Sequence, residues 1–257
     1  MEIENDTSYV KSVIKTLLIL DQFSSPDEKG IIELSENTHL PASTVQRIVN
    51  TLELKNYLMQ NPKTHKYRLG IALYNISKNY SKNLEWIDGA KIYMEKLVEK
   101  HGETVNLAIL QGKKIIYLTK VDSPNILRPN FEIGVEYPAL CTSLGRSILA
   151  FQPPEILNKI IIPSNIEHNT DKTITDTKDI WKELSKIKED GYAIEDEEFQ
   201  TGLFCIGVPI IDYKGRSTAA ISTTIPKYRV DLKKIPDIVK DMLDAAKNIS
   251  DELTKAY

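Results

Sequence analysis

The sequence predicts an α+β protein in which a helical N-terminal region ending in a β-hairpin precedes a larger region of paired strands and helices. In the first region, apolar residues recur at helical spacing up to about residue 54, and two short β-type runs follow. In the second region, "TVNLAIL" and "KIIYLTKV" flank "QGK", while "LFCIGVPII" and "STAAISTTI" flank "DYKG". Strand pairs with interspersed amphipathic helices favour an antiparallel sheet with helices packed on it.

The composition excludes several classes of protein. Of the 257 residues, 41% are hydrophobic and 27% are charged, so we expect a packed core and not wholesale disorder. No run approaches the roughly 18 apolar residues of a membrane span, and the acidic start "MEIENDTSYV" is unlike a secretory signal. The two cysteines, Cys141 and Cys205, make a disulfide framework improbable, so we expect a cytoplasmic protein without membrane association.

Three helices are expected before residue 55. Residues 9–23 and 31–38 carry apolar side chains at helical spacing, and "SSPDEKG" separates the two segments. A third helix begins at Pro41 or Ala42, because proline is favourable in the first turn of a helix. That helix has an apolar stripe opposite a polar face, comprising Val45, Ile48, Val49 and Leu52 against Ser43, Gln46, Arg47 and Asn50.

This order of helices is typical of a helix-turn-helix, whose second helix enters the major groove of DNA. Arg, Gln and Asn side chains read purine edges there, although an ordinary solvated helix shows the same polar face. The hairpin that follows favours the DNA interpretation. "YLMQ" and "KYRL" flank the turn sequence "NPKTH", which predicts a wing that can lay Lys63, Lys66 and Arg68 along phosphates or into the minor groove.

Charge is distributed unevenly along a chain whose overall net charge is −3. Residues 1–39 contain three lysines and eight acidic residues, which give −5. Residues 40–82 contain seven basic residues and one acidic residue, which give +6. A basic segment that coincides with the third helix and the hairpin indicates a polyanionic partner.

The N-terminal motif resembles a known family. "LPASTVQRIVNTLELKNYL" followed by "YRLG" is similar to the winged helix-turn-helix of the IclR family of bacterial and archaeal transcriptional regulators. Two departures are His39 and His65, which stand where the family usually has the glycine of a turn. Because histidine visits the left-handed region more often than most residues, both turns remain feasible.

The resemblance covers nearly the whole chain and implies a domain organisation. We predict a winged helix-turn-helix domain at residues 1–72, a linker helix at 73–86 and an effector-binding domain at 87–257. The segments "YPALCTSLGRSILA" and "GYAIEDEEFQTGLFCIGVPIIDYKGRSTAAIS" are similar to the ligand-binding parts of IclR effector domains. A GAF-like domain that binds a small metabolite, such as an organic acid or an aromatic compound, is therefore implied.

The effector site is predicted from two sources. A helix N-terminus in "CTSLGRS" offers free N–H groups to an anion, with Gly145 allowing a close approach, although the segment can also be a plain helix start. Carried over by position, the family's pocket implies a set of residues comprising Ser143, Leu144, Glu195, Leu203, Cys205, Ser222 and Thr224. Alternation puts residues 203 and 205 on one strand face and 222 and 224 on another, as a plain core would too. Glu195 is larger than the commoner Asp, and Ser143 and Leu144 are bulkier than the residues of many members, which implies a smaller or differently shaped cavity.

Nothing in the sequence indicates an enzyme. Cys205 lies in an apolar strand, where a cysteine is most often a small hydrophobe. The four histidines are scattered, and neither they nor the two cysteines have the spacing of a metal site. "EDEE" is more typical of a solvated loop than of acid–base chemistry, and "LGRS" lacks the lysine of a phosphate-binding loop. We expect no catalytic residues, no metal and no cofactor.

The sequence therefore predicts a ligand-responsive transcriptional regulator, a repressor of catabolic genes. Whether such a protein represses or activates depends on where its operator lies relative to the promoter. Base edges would be read by Ser43, Gln46, Arg47 and Asn50, and the DNA backbone held by Thr44, Lys63, Lys66, Tyr67 and Arg68. A homodimer or tetramer would bind a palindromic double-stranded operator with half-sites about 34–36 Å apart. Two alternatives stay open: a metabolite-binding sensor or enzyme whose N-terminal domain contacts proteins, and a DNA-binding protein whose second domain only dimerises.

Overall fold

Two units, residues 1–83 and 84–257, make up the chain, and each has its own hydrophobic core. The structure is a computed structural model that describes residues 9–23, 27–81 and 85–255. Among the described helices, none is long and apolar enough to cross a membrane. The α+β fold class predicted from the sequence is confirmed.

The first unit is a helix-turn-helix with a hairpin wing. Its elements are α1 (Lys11–Leu20) with a 3-10 turn (Asp21–Phe23), α2 (Ile31–Thr38), α3 (Ala42–Leu54), β1 (Leu58–Gln60), β2 (Tyr67–Leu69) and α4 (Ile71–Ser81). Each helix packs an apolar stripe against the hairpin, and these side chains form the core. It includes Ile19, Leu34, Val45, Val49, Leu52, Leu58 and Tyr67. The three helices and the hairpin that the periodicity predicts are all present.

The two turns with histidine adopt the expected left-handed backbone. His39 ends α2 with φ 55°, and His65 closes the wing turn with φ 58°. The first turn is held by a bond from the Ser35 hydroxyl to the Leu40 carbonyl at 2.6 Å. Histidine thus adopts at both turns the left-handed backbone that a glycine would supply, as the sequence predicts.

A six-stranded antiparallel sheet forms the centre of the second unit, with strand order β5-β4-β3-β8-β7-β6. Its strands are β3 (Thr104–Gln111), β4 (Lys114–Val121), β5 (Glu136–Pro138), β6 (Ala193–Asp196), β7 (Leu203–Ile211) and β8 (Ser217–Pro226). Its helices are α5 (Glu85–His101), α6 (Ser143–Leu149), α7 (Pro154–Ile160), α8 (Thr177–Asp190) and α9 (Ile235–Lys255).

Alternation along the central strands separates two cores. On β7, Phe204, Ile206 and Val208 face the core shared with α5 and α9. Leu203 faces the opposite core, to which α6, α7 and α8 contribute apolar side chains. The two hairpin turns "QGK" and "DYKG" are confirmed at the ends of these strands.

One predicted helix differs from the structure in its extent. The sequence predicts one helix over "PALCTSLGRSILAFQ", but β5 ends at Pro138, residues 139–142 form a buried turn, and α6 covers only residues 143–149. The predicted linker helix at 73–86 spans the end of α4 and the first residues of α5, and residues 82–84 lie outside the described residues. The domain limits themselves remain a prediction.

Gly70→Ala is expected to destabilise the first unit by about 1–3 kcal/mol, because overpacking displaces the backbone. The added methyl group would stand 2.2 Å from the Asn56 carbonyl oxygen, where the hairpin returns to α4. Gly30→Ala is the matched control, since nothing lies within 4 Å of the new methyl group and its φ of −89° suits alanine. Urea unfolding followed by circular dichroism measures both variants, and equal stabilities would contradict the close approach.

Candidate functional site

The polar face of α3 is exposed as the sequence predicts. Ser43, Gln46, Arg47 and Asn50 are exposed, whereas Thr44 is half-buried at the start of the helix. The Gln46 amide nitrogen donates to the Asn50 side-chain oxygen at 2.7 Å. Among the described residues, no hydrogen bond or ion pair engages the Arg47 guanidinium, so this side chain is available to a partner. The face therefore presents one positive charge and several neutral polar groups.

The wing carries the exposed cations Lys63, Lys66 and Arg68. Its tip is fixed by Glu28, whose carboxylate accepts from the Asn61 amide and from the Thr64 hydroxyl, both at 2.7 Å. These two hydrogen bonds, in that order, lower the pKa of Glu28. Because the tip is held in one shape, its lysines project from a defined turn.

A third chain segment joins the wing, which the sequence analysis missed. Lys29 and Tyr67 exchange two backbone hydrogen bonds, of 2.9 and 2.8 Å, beside the strand pair β1–β2. Periodicity could not have found this contact, because a single bridging residue leaves no repeating pattern.

Tyr67 does not belong to the exposed basic surface. Its side chain is 3% exposed and lies in the core of the first unit, so its predicted place among the DNA-backbone contacts is corrected. The alternation of the strand is the reason, since Arg68 points outward and its neighbour must point inward.

In the second unit, the register brings most of the predicted effector residues onto one face of the sheet. Glu195 pairs with Cys205, and Cys205 pairs with Thr224, so these three lie in a row across β6, β7 and β8. On the same face of β8, two residues before Thr224, Ser222 pairs with Asn106 of β3. All of these side chains are buried in the described structure. Asn106 is a member of this face that the sequence analysis did not single out.

Helix α6 covers the same face with Ser143, Leu144 and Gly145, all three buried. Thr142 caps the helix, since its hydroxyl oxygen accepts from the Gly145 amide at 3.2 Å. A side chain at Gly145 would stand 2.1 Å from the Ala139 carbonyl oxygen. The close approach expected of this glycine is therefore made to its own chain, and the capped N–H group of Gly145 is already used.

Hydrogen bonds connect the polar groups of this face. The Asn106 amide nitrogen donates to the Thr224 hydroxyl at 3.1 Å, and the Cys205 thiol donates to the same hydroxyl at 3.7 Å. One oxygen of Glu195 accepts from the backbone N–H groups of Glu198 and Phe199 at 2.6 and 3.0 Å. Burial raises the pKa of Glu195, although these two N–H groups oppose the shift. The face therefore combines uncharged polar groups with a buried carboxyl group whose charged form is disfavoured by burial.

A buried ion pair at the end of this face was also missed by the sequence analysis. Arg146 is 1% exposed, and its two terminal nitrogens donate to the Glu198 carboxylate at 2.6 and 3.1 Å and to the Ile194 carbonyl at 3.1 Å. The pair joins α6 to the loop after β6. The sequence around Arg146 does not indicate that its side chain is buried, because the carboxylate that pairs with it lies 52 residues away.

Aromatic side chains border the face near β4 and β5. Tyr117 stacks on Phe131 with ring centroids 5.1 Å apart, and Tyr137 meets both edge-on. Phe199 packs against Tyr137 at 5.7 Å. These rings bury a large apolar area beside the polar groups of the sheet.

Both cysteines are buried and reduced, as expected of small core residues. Burial raises the pKa of the Cys141 thiol to about 12 and raises that of Cys205 as well, so neither forms a thiolate near neutral pH. In the part of the chain that the structure describes, no group of three His, Cys, Asp or Glu side chains could hold a metal ion.

Comparison with known families assigns both halves of the chain. The family described as "IclR helix-turn-helix domain" matches residues 12–62, and the one described as "Bacterial transcriptional regulator IclR C-terminal" matches residues 78–251. Together these matches cover the helix-turn-helix, the start of the wing and nearly all of the second unit.

Individual relatives are similar over almost their whole length. The HTH-type transcriptional regulator KdgR of Escherichia coli is 30% identical over 252 residues, covering 98% of this chain and 96% of that protein. The HTH-type transcriptional repressor AllR of E. coli is 27% identical over 229 residues, which cover 89% of this chain and 84% of AllR. An IclR homolog from Microbacterium hydrocarbonoxydans, solved in complex with 4-hydroxybenzoate, has the same fold. Its TM-score is 0.82 at 22% identity, with 94% of this chain and 98% of that chain covered.

Glu198→Ala is expected to lower the free energy of unfolding by about 3–5 kcal/mol, because it leaves the Arg146 charge buried without its carboxylate. The matched control is Glu136→Ala, which breaks the exposed 3.0 Å pair with Lys114 and should cost less than about 1 kcal/mol. Urea unfolding followed by tryptophan fluorescence compares them. A cost for Glu198→Ala no larger than that of the control would contradict the burial of the pair.

Glu195→Gln is expected to change how stability depends on pH. An acid whose pKa is higher in the folded state stabilises the fold below its unfolded pKa, and this contribution is lost as pH rises through the folded pKa. Because burial raises the pKa of Glu195 above 4.5, the stability of the variant relative to wild type should grow as pH rises from about that value and then level off. Unfolding free energies measured across pH 4–8 test this, with the exposed Glu132→Gln as control. Parallel curves for Glu195→Gln and wild type would show that the carboxyl is not desolvated.

Proposed function

The chain belongs to the IclR family of transcriptional regulators, and from that premise we propose that α3 and the wing read a palindromic operator under the control of a small metabolite. Members of the family bind DNA through the helix-turn-helix, carry an effector-binding C-terminal domain and are not enzymes. The expectation of a regulator that is not an enzyme is thereby confirmed. The individual residues, the ligand and the operator are the proposal.

The exposed polar face of α3 beside the basic wing is the observation that carries the DNA proposal. Ser43, Gln46, Arg47 and Asn50 are proposed to read base edges, with Arg47 directed at guanine. The bond between Gln46 and Asn50 leaves the Gln46 amide oxygen and the Asn50 amide nitrogen without a partner among the described residues. An acceptor beside a donor matches the N6 amino group and N7 of adenine.

The DNA backbone is proposed to be held by Thr44, Lys63, Lys66 and Arg68. Tyr67 is omitted because its side chain is buried. Since one recognition helix reads only one half-site, two copies in a homodimer or tetramer are proposed to bind the two halves of the operator, about 34–36 Å apart. A regulator of this kind works where the DNA is, which supports a cytoplasmic location.

The second unit is proposed to hold an organic acid or an aromatic compound between α6 and the sheet. The Microbacterium structure, in which 4-hydroxybenzoate is bound, supports a small ligand in this fold. The site would include Ser143, Leu144, Glu195, Cys205 and Thr224, with Leu203 and Ser222 beside them, and Gly145 would position α6 without touching the ligand.

Ligand binding is proposed to shift the population between two arrangements of the protein that differ in operator affinity. The size of the effect equals the difference in ligand affinity for the two arrangements. We propose repression of catabolic genes, which the repressor AllR, a relative over most of the chain, supports.

Arg47→Ala is expected to lose about 1–3 kcal/mol of discrimination at one base position, because a bidentate contact to guanine is removed. The operator is first selected from a random DNA pool, and anisotropy titrations at several salt concentrations then measure the affinities. Lys63→Ala should instead weaken all sequences alike and reduce the salt slope by about one, because it removes a phosphate contact. The matched control Lys182→Ala, on α8, should change neither.

Failure of the DNA proposal has a clear signature. If no sequence is enriched from the pool, or if Arg47→Ala and Lys182→Ala bind every sequence with equal affinity, then α3 is an ordinary solvated helix.

A further inference from the structure

The two lysines of the wing turn are held through their own backbone. The Lys63 N–H donates to the side-chain oxygen of Asn61 at 2.9 Å, and the Lys66 N–H donates to the Thr64 hydroxyl oxygen at 3.3 Å. Side-chain bonds of this kind, to a backbone group two residues further on, fix the shape of a turn. The positions of both lysines therefore depend on where the Asn61 and Thr64 side chains point.

Glu28 determines where these two side chains point. Its Oε1 accepts from the Asn61 amide nitrogen and its Oε2 accepts from the Thr64 hydroxyl, both at 2.7 Å. Because the carboxylate engages the Asn61 nitrogen, the amide oxygen is turned towards the Lys63 N–H. Because it also engages the Thr64 hydrogen, the hydroxyl oxygen is left to accept from Lys66. One carboxylate, 33 and 36 residues away in the chain, thus organises the whole turn.

The segment that carries Glu28 is anchored to the body of the first unit. The next residue, Lys29, exchanges backbone hydrogen bonds of 2.9 and 2.8 Å with Tyr67, whose side chain is in the core. The Lys29 ammonium also donates to Glu33 of α2 at 2.8 Å. Glu28 is therefore attached to a fixed part of the fold, and the turn is held against it.

The charge of Glu28 opposes the charge of the wing. The hydrogen bonds from Asn61 and Thr64, in that order, lower the pKa of Glu28 most. The charges of Arg68 and Lys66 lower this pKa further, so the carboxylate lies within electrostatic reach of both. A negative charge among cations that face a polyanion weakens the attraction to DNA. Charge and geometry at this residue therefore have opposite effects on DNA binding, which makes them separable by experiment.

We propose that Glu28 is a positioning residue for operator binding, which acts through the wing turn to place Lys63 and Lys66 on DNA phosphates. The inference rests on the proposed function, because it requires that the wing holds the DNA backbone. It goes further by assigning a gain in operator affinity to an acidic residue outside the wing. A turn that is ordered before binding reduces the entropy lost when the complex forms.

Two substitutions of Glu28 separate its hydrogen bonds from its charge. Glu28→Asp keeps the charge but is one methylene shorter, so it cannot reach both donors. Glu28→Gln keeps the length, removes the charge and turns an amide N–H₂ group towards one of the donors. The matched control is Glu36→Gln, which removes an exposed carboxylate of α2 that makes no hydrogen bond to the wing among the described residues.

Anisotropy titrations of the full-length variants with selected operator DNA, at several salt concentrations, measure affinity and its salt slope. Glu28→Asp and Glu28→Gln should each weaken operator binding about tenfold and reduce the salt slope by about one to two, because each lost phosphate contact reduces the slope by about one. Glu36→Gln should keep the slope of the wild type.

Combining these variants with Lys63→Ala tests whether Glu28 acts through the wing. In the wild-type background Lys63→Ala should reduce the salt slope by about one. In the Glu28→Asp background it should leave the slope nearly unchanged, because the lysine no longer meets its phosphate. Such non-additivity is expected of residues in one network, whereas a general loss of stability would leave the two effects additive.

The inference is overturned if Glu28→Asp binds the operator like the wild type. It is equally overturned if Glu28→Gln binds more tightly, since that result belongs to a carboxylate that acts only through its charge. Thermal unfolding followed by circular dichroism monitors folding. If Glu28→Asp does not fold, Thr64→Val replaces it with the same expected losses, because it removes one of the two donors and leaves the charge unchanged.

The wild type and Arg47→Ala on the same DNA distinguish a failure of this inference from a failure of the proposed function. If the wild type binds a selected operator and Arg47→Ala loses discrimination, while Glu28→Asp behaves like the wild type, the inference fails and the proposed function stands. If the wild type enriches no sequence and binds no operator, the proposed function fails and the inference fails with it.

Discussion

The register of four antiparallel strands decides the chemistry of the second unit. Because side chains alternate along each strand, the pairing of β6, β7, β8 and β3 places polar groups together on one face and aliphatic groups together on the other. A slip of one residue in β8 would move Thr224 into the aliphatic core and Ile225 beside Cys205. The two helices α5 and α9 cover the aliphatic face with a large apolar core, which keeps this register in place.

Helix α6 is held over the polar face by contacts that leave little freedom. Gly145 allows its first turn to approach the Ala139 carbonyl, and Gly207 allows its Ser143 carbonyl to approach β7. At its other side Arg146 joins it to Glu198 and to the end of β6. A buried ion pair contributes little net stability but is costly to break, so it favours one orientation of the helix over others. The polar face of the sheet therefore lies beneath a helix whose position is fixed at three places.

In the first unit, the apolar side of α3 is buried in the core and its polar side faces solvent. Val45, Val49 and Leu52 bury one side of α3, and the opposite side is left to polar side chains. The wing has more support than its two short strands provide. Lys29 pairs with Tyr67 beside them, and Glu28 holds the tip of the turn. An acidic residue against the tip of a basic wing reduces the local positive charge while giving the cations a defined geometry.

The sequence by itself determined the local elements and the family. Period-3.6 and period-2 patterns reflect which side of an element meets the core, and they gave α1 to α3, the wing and the strand pairs correctly. The histidine turns were also predictable, because the backbone preference belongs to the residue itself. The motif around α3 led to the family that the comparisons confirm.

Only the tertiary structure decided which side chains meet across long separations. Arg146 and Glu198 are 52 residues apart, and Asn106 and Thr224 are 118 residues apart, so no local pattern records either contact. Tyr67 is predicted among the contacts to the DNA backbone, but the fold places its side chain in the core, since alternation along β2 turns it inward. Local propensity acts through a residue's own backbone and near neighbours, whereas burial and hydrogen-bond satisfaction depend on the packing of the whole unit. The sequence therefore fixes the elements, and the packing decides where a ligand can be held.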